Sequence, residues 1–305
     1  MLRAVLALML GLGVTAGAYV AGQRLEEGVE ARLFEEQVGR VGQVAMARMA
    51  PTLDPVEKFG LFSERREVNA ATFVPELKAR QDNAPALRAM AWLPVVKDRE
   101  LFEKQVQRYY QGFEIREQTP EGVVQTAGPA TAWVPVLLIE PAEGNDILRG
   151  LDIGNLGPLA QTMQQTYVRH APVASPLFEF TGVDEPMIVV LFYVPEPEGF
   201  AGALVDPREL LEHITDGRPQ GIVGRITDDT TGTVLITETG FSEEGSIRFA
   251  STLGGRTFSL DLSPSPDYQP TQVQAALPAA VGGVGVTLLM MALVLVGGRR
   301  EESTS

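Results

Sequence analysis

Two uncharged apolar runs, one near each end, limit what this chain of 305 residues can become. From Ala4 to Gly22 the sequence reads AVLALMLGLGVTAGAYVAG, and from Ala275 to Gly298 it reads AALPAAVGGVGVTLLMMALVLVGG. At about 1.5 Å of rise per residue, each supplies roughly enough helix to cross a hydrocarbon core of about 30 Å. Arg3 precedes the first run, and Arg299 and Arg300 follow the second. The positive-inside tendency therefore predicts a two-pass protein of the plasma (inner) membrane, with both termini cytoplasmic and the middle segment periplasmic. A cleavable signal peptide is the competing reading of the first run, since Ala16, Gly17 and Ala18 have the small side chains of a cleavage site.

Against cleavage stands the sequence that follows. Arg24 to Met49 contains no Pro and is compatible with helix throughout, as a rod continuing out of a membrane would be. Within it Phe34, Val38, Val41 and Ala45 recur at spacings of four and three, which places them on one stripe. Such a stripe is either a dimer seam or the face that packs on the domain above it. Gly13 with Gly17, and Gly282, Gly283 and Gly285, would let helix backbones approach closely in a homodimer.

Composition removes several function classes. The formal net charge is −14, so no phosphate-neutralising surface for a nucleic acid can be assembled. Cysteine is absent, and the two histidines, His170 and His213, have no organised carboxylate cluster beside them, so no metal site is expected. The chain lacks a G-x-S-x-G elbow, a G-x-x-x-x-G-K phosphate loop and an H-E-x-x-H pair, and no enzyme and no cofactor is expected.

Between the apolar ends, short alternating runs bounded by Pro and Gly are interspersed with helical stretches, an α+β pattern. Strands are predicted over 86–96, 112–118, 132–140, 187–195, 199–205, 221–228, 233–237 and 257–262, and helices over 99–110, 158–170 and 207–214. Pro158 suits the first turn of its helix. Asp152 reads as a turn residue before that helix, with Asn155 as its cap, or as a carboxylate anchoring a ligand donor in an apolar cavity. Trp133 and Tyr193 read equally as core aromatics or as walls of a pocket.

The middle segment resembles the CHASE family of extracellular sensory domains. The string AWLPVVKDRELFEKQVQRYYQGFEIRE carries the resemblance through Trp92, Pro94, Val95, Arg99, Phe102, Glu103, Gly112, Phe113, Ile115 and Glu117. The string WVPVLLIEPAEGNDILRGLDIG continues it through Pro135, Val136, Glu140, Pro141, Asn145, Gly150 and Asp152. VASPLFEF, MIVVLFYVP and LGGRTFSLDLSPSPDY resemble the closing strands, so about 73–268 is covered. The resemblance implies a long N-terminal stalk helix followed by two stacked PAS-like subdomains, the distal one holding a small-molecule pocket. In the cytokinin receptors of the family, the aspartate of the G-x-D string bonds the ligand, which implies that role for Asp152. Trp133 and Tyr193 fall on positions of pocket aromatics. The family's pocket threonine falls on Ala174, next to Ser175, and this departure argues against cytokinin itself.

The layout that follows is a cytoplasmic 1–3, a transmembrane helix over 4–22 and an extracytoplasmic sensor over 23–274. The sensor divides into a stalk helix at 23–66, a distal subdomain at 67–205 and a proximal one at 206–274. A second transmembrane helix at 275–298 and a cytoplasmic tail at 299–305 complete it. Seven residues make no output domain, so the expected function is to bind a small-molecule ligand and signal through the membrane helices to a separate kinase or cyclase. A ligand-free scaffold or accessory subunit, using the same domain for protein contacts, is the alternative.

Overall fold

The computed structural model describes residues 2–66, 69–268, 284, 285 and 288, leaving aside the side chains of 2–8, 10, 11, 25–28 and 30. It divides into two compact units, Met1–Gly39 with Pro266–Ser305, and Arg40–Ser265. One helix, α1 (Leu2–Met49), begins in the first unit and ends in the second. In the first unit the Phe34 ring meets Tyr268 edge-on at 5.4 Å, and the Tyr268 hydroxyl donates to Gln37 at 2.9 Å. Among the described residues no helix is long and apolar enough to cross a membrane. The run 275–298 lies outside the described residues except for 284, 285 and 288, as do many side chains of 4–22.

In the second unit, residues 40–66 are helical in pieces rather than as one stalk. Pro51 cannot donate a backbone hydrogen bond, and α1 gives way to a 3-10 turn at Ala50–Leu53. Helix α2 (Asp54–Ser63) restarts with Pro55 in its first turn. Helix α3 (Ala70–Gln81) opens on the side chain of Asn69, which accepts from the Thr72 amide at 2.9 Å. Of the stripe on α1, Ala45 is buried and Val41 half-buried in this unit. There it packs on its own domain, because Gly42 lies against the ring of Phe249.

Strands β1 (Ala89–Pro94), β4 (Leu138–Glu140), β5 (Val173–Phe178), β6 (Met187–Pro195) and β7 (Glu198–Val205) form an antiparallel sheet in the order β4-β1-β7-β6-β5. Strands β2 (Arg116–Gln118) and β3 (Val124–Thr126) form a separate ribbon, inserted in sequence between β1 and β4. Helices α4 (Arg99–Val106) and α5 (Gly157–Arg169) lie in the long connections. This sheet is buried on both faces, which is why β6 reads as an unbroken apolar run rather than an alternating one. Met187, Val189 and Leu191 join Leu93, Ile153, Leu159 and Phe200 in an aliphatic cluster on one face. Trp92 on the other face meets Phe59 of α2 at 6.4 Å and Phe73 of α3 at 5.7 Å, both edge-on. Burying each such side chain contributes about 1.5–3 kcal/mol.

After α6 (Pro207–Ile214), β8 (Ile222–Asp228), β9 (Thr233–Thr237), β10 (Ile247–Leu253) and β11 (Arg256–Pro264) build a second antiparallel sheet, ordered β10-β11-β8-β9. Here burial alternates along β8, with Ile222 and Ile226 buried and Gly224 close to Leu211 of α6. The opposite face is polar. Asp261 accepts two hydrogen bonds from Arg248, at 2.7 and 3.0 Å, and one from Arg225 at 3.2 Å. The two sheets touch at the tip of the β10–β11 hairpin, where Gly254 and Gly255 have φ of 55° and 77°. The Ala174 amide of β5 donates to the Gly254 carbonyl at 2.9 Å, and a methyl group on Gly254 would lie 2.5 Å from that nitrogen.

Candidate functional site

Asp152 is fully buried where two chain segments meet, its amide donating to the Arg116 carbonyl at 2.7 Å. Its Oδ1 accepts from the amides of Val134, at 2.7 Å, and Gly154, at 2.9 Å. Its Oδ2 accepts from the side chain of Asn155 at 2.9 Å. Burial pushes this carboxyl above the ordinary aspartate range, outweighing the three hydrogen bonds that favour the ionised form, and Glu117 adds repulsion in the same direction. Asn155 therefore does not cap α5. The residue before that helix is Leu156, with no side-chain cap, and Pro158 occupies the first turn as predicted.

Asn155 also lines a cleft of about 820 Å³. Its walls are the turn after β2 (118–122), the turn after β5 (178–184) and the start of α5. Gln118 stitches the two turns together: its side-chain amide donates to the Glu179 carbonyl at 2.9 Å and its oxygen accepts from the Thr181 amide at 2.8 Å. The Thr181 hydroxyl adds a bond to the Gly122 carbonyl at 2.7 Å. Three carboxylates, Glu121, Glu179 and Asp184, line the cleft and no basic side chain does. Hydrogen bonding from Thr119 and the backbone holds the Glu121 carboxyl below the usual range.

The other three predicted residues lie elsewhere. Trp133 is buried in a separate cluster with Val96, Val106, Phe113 and Ile115, its indole donating to the Gly128 carbonyl at 3.1 Å. Ser175 is buried in the bulge of β5, where its hydroxyl accepts from the Val189 amide at 2.9 Å and donates to the Pro176 carbonyl. Tyr193 is half-buried, edge-on to Tyr167 at 4.8 Å and to Phe200 at 5.5 Å, on the rim of the aliphatic cluster. None of the three lines the 820 Å³ cleft. The cleft walls were not singled out from sequence. Their signal was turn chemistry alone, TPEG and TGVD, each with an acidic residue.

An antiparallel α+β domain with a satisfied buried aspartate beside an acidic cleft is the class that fold and site define. A family model for the CHASE domain matches residues 66–235, more than half of the chain, and the chain belongs to that family. No curated protein matches it. Among solved structures, it is similar to an extracellular ligand-binding receptor from Desulfohalobium retbaense, at 10% identity and a TM-score of 0.46. That match covers 74% of this chain but only 39% of the receptor's length. It is also similar to the periplasmic sensory domain of the Campylobacter jejuni chemoreceptor Tlp1, at 10% identity, 84% and 97% coverage and a TM-score of 0.41. The ligand-binding domain of the Pseudomonas aeruginosa amino acid chemoreceptor PctC, in complex with GABA, matches at 11% identity, 76% and 100% coverage and a TM-score of 0.42.

Proposed function

We propose that the chain is a membrane-anchored sensor without catalytic activity, whose periplasmic domain binds a small molecule and passes the event through its terminal helices to a separate output protein. Membership of the CHASE family supports the sensing role, and the two hydrocarbon-length runs support the anchoring. The folded body then consists of two stacked PAS-like subdomains, a reading that the two antiparallel sheets support.

One observation carries the choice of site: Asp152 reaches the acidic cleft through Asn155. With its amide nitrogen held by Asp152, Asn155 has its carbonyl left to accept, and Glu121, Glu179 and Asp184 add negative charge around it. The ligand this favours is donor-rich, an amine or a ring N–H compound. Asp152 orients it by fixing Asn155, Ser175 holds the bulge that delivers the 178–184 turn, and Trp133 and Tyr193 pack the segments behind. Binding transmits a signal only if the ligand prefers one of two arrangements of the domain.

Thermal-shift screening of the purified full-length protein with primary amines and N–H heterocycles tests this. A compound present at about 100 times its Kd would stabilise the fold by about 2.7 kcal/mol. Asn155→Leu removes the shift and Asp152→Asn weakens it. A screen in which no donor-rich compound raises the Tm, or in which Asn155→Leu leaves the shift intact, overturns the assignment.

A further inference from the structure

We infer a second binding site, for an organic carboxylate with an apolar body, in the cleft between the start of α4 and the turn joining β6 to β7. This cleft holds about 510 Å³ and shares no lining residue with the acidic one. Trp92, Val95, Leu101, Phe102 and Leu137 supply its apolar surface, and Leu101 is left 52% exposed there. A large aliphatic side chain at the mouth of an apolar cleft is a surface that gains by being covered.

Two further observations select the occupant. The indole N–H of Trp92 is buried with no hydrogen-bond partner among the described residues, although a buried tryptophan ordinarily finds one. The ionic groups of the cleft are also unequally engaged. Lys97 donates to Glu198 at 2.8 Å, and Asp98 caps α4 by accepting from the Leu101 amide at 3.0 Å. Arg66 has no ion pair among the described residues, and its guanidinium is held 4.5 Å over the ring of Phe62. Arg65, likewise without an ion pair there, borders the adjoining hollow with Arg66, and its amide donates to the Glu196 carbonyl at 2.6 Å. On a chain with a net charge of −14, two adjacent guanidinium groups that have no ion pair among the described residues, beside an apolar cleft, complement a carboxylate attached to an aliphatic or aromatic body.

The chain has two tryptophans, so Trp133→Phe leaves Trp92 as the single reporter inside this cleft. The full-length variant is titrated with 3-phenylpropionate, and separately with 3-phenylpropan-1-ol and 3-phenylpropylamine, while tryptophan emission is recorded. A saturable change with the acid, at least tenfold tighter than with the alcohol or amine, is expected. Arg66→Gln, at an exposed position, weakens the acid by tenfold or more and leaves the alcohol unchanged, and Leu101→Glu weakens both. Isothermal titration of the unsubstituted chain gives the same ranking should Trp133→Phe fail to fold. No saturable response to the acid, equal affinity for acid and alcohol, or an Arg66→Gln variant that binds the acid unchanged would each overturn the site.

Discussion

The two sheets of the Arg40–Ser265 unit solve the same problem by different means. The five-stranded sheet is dry on both faces, aliphatic against α5 and aromatic against α2 and α3. The four-stranded sheet is dry on one face only, and its other face is organised by the ion pairs of Asp261 with Arg225 and Arg248; at the strand ends Asp228 pairs with Arg256 and Glu238 with Arg218. The first depends on shape and apolar area, which charge screening and moderate pH leave unchanged. The second depends on charges whose partners must remain ionised. A single fold therefore contains one half that ignores its ionic surroundings and one that responds to them.

This contrast can be broken by substitution, beginning with the largest effect. Trp92→Ala removes the ring that Phe59 and Phe73 pack against, and should cost about 3–5 kcal/mol in urea unfolding. That loss should be the same in low and high salt, and a marked salt dependence would refute the claim that this half is indifferent to charge. Asp261→Asn should cost about 1.5–3 kcal/mol at neutral pH, towards the lower end because Arg248 is more than half exposed. Burial alone would raise the Asp261 carboxyl, but hydrogen bonds from Arg248 and Arg225 outweigh it and hold the group below the ordinary range. Its stabilisation is therefore complete above the unfolded aspartate value of roughly 3.9. It is lost as the pH falls through the lower folded value, so wild type and Asp261→Asn should converge in acid.

Gly254→Ala tests the contact between the halves. Its left-handed backbone and the nearness of the Ala174 nitrogen leave no room for a methyl group, and about 1–3 kcal/mol of strain is expected. Hydrogen exchange should quicken at the Ala174 amide first; unchanged protection there would show that the tip is not a fixed contact. Asp152→Asn should be the smallest, under about 1 kcal/mol, because the amide oxygen can still accept from Val134 and Gly154. Its pH signature is opposite to that of Asp261. With the folded value raised, the contribution of Asp152 is full below the unfolded value and declines as the pH rises through the folded one, so the variant should lack that decline. A pair of urea titrations at acid and neutral pH decides between the two signs.

How legible each half was in the sequence follows from the same contrast. β6, β9, α5 and α6 lie within a residue or two of their predicted limits, because a long apolar run, a β-branched TVLIT and Pro at a helix start are local signals. α3 was missed because Pro75 reads as a breaker, whereas it stands inside the helix that Asn69 caps, and the helix continues through it. β10 was missed because IRFASTL buries only Leu253 fully, so it carries no strong apolar run of its own, although it pairs with β11 across the two-residue Gly254–Gly255 turn. The predicted strand over 132–140 is reduced to β4, with isolated bridges at Trp133 and Pro135, since Pro135 cannot donate to a ladder. Asp152 was legible as a buried carboxylate. Its partners were not, because Val134 and Gly154 contribute through backbone amides, which a sequence does not distinguish.

The hairpin tip has one more consequence. β5 is the outermost strand of its sheet, and an outermost strand offers unpaired amides on which a second molecule can add a strand of its own. Here the Ala174 amide is already taken by Gly254, and the bulge at Ser175 interrupts the row beyond it. The opposite border, β4, is only three residues long. Protection against fibre-like stacking is thus built from a glycine loop on one border and brevity on the other.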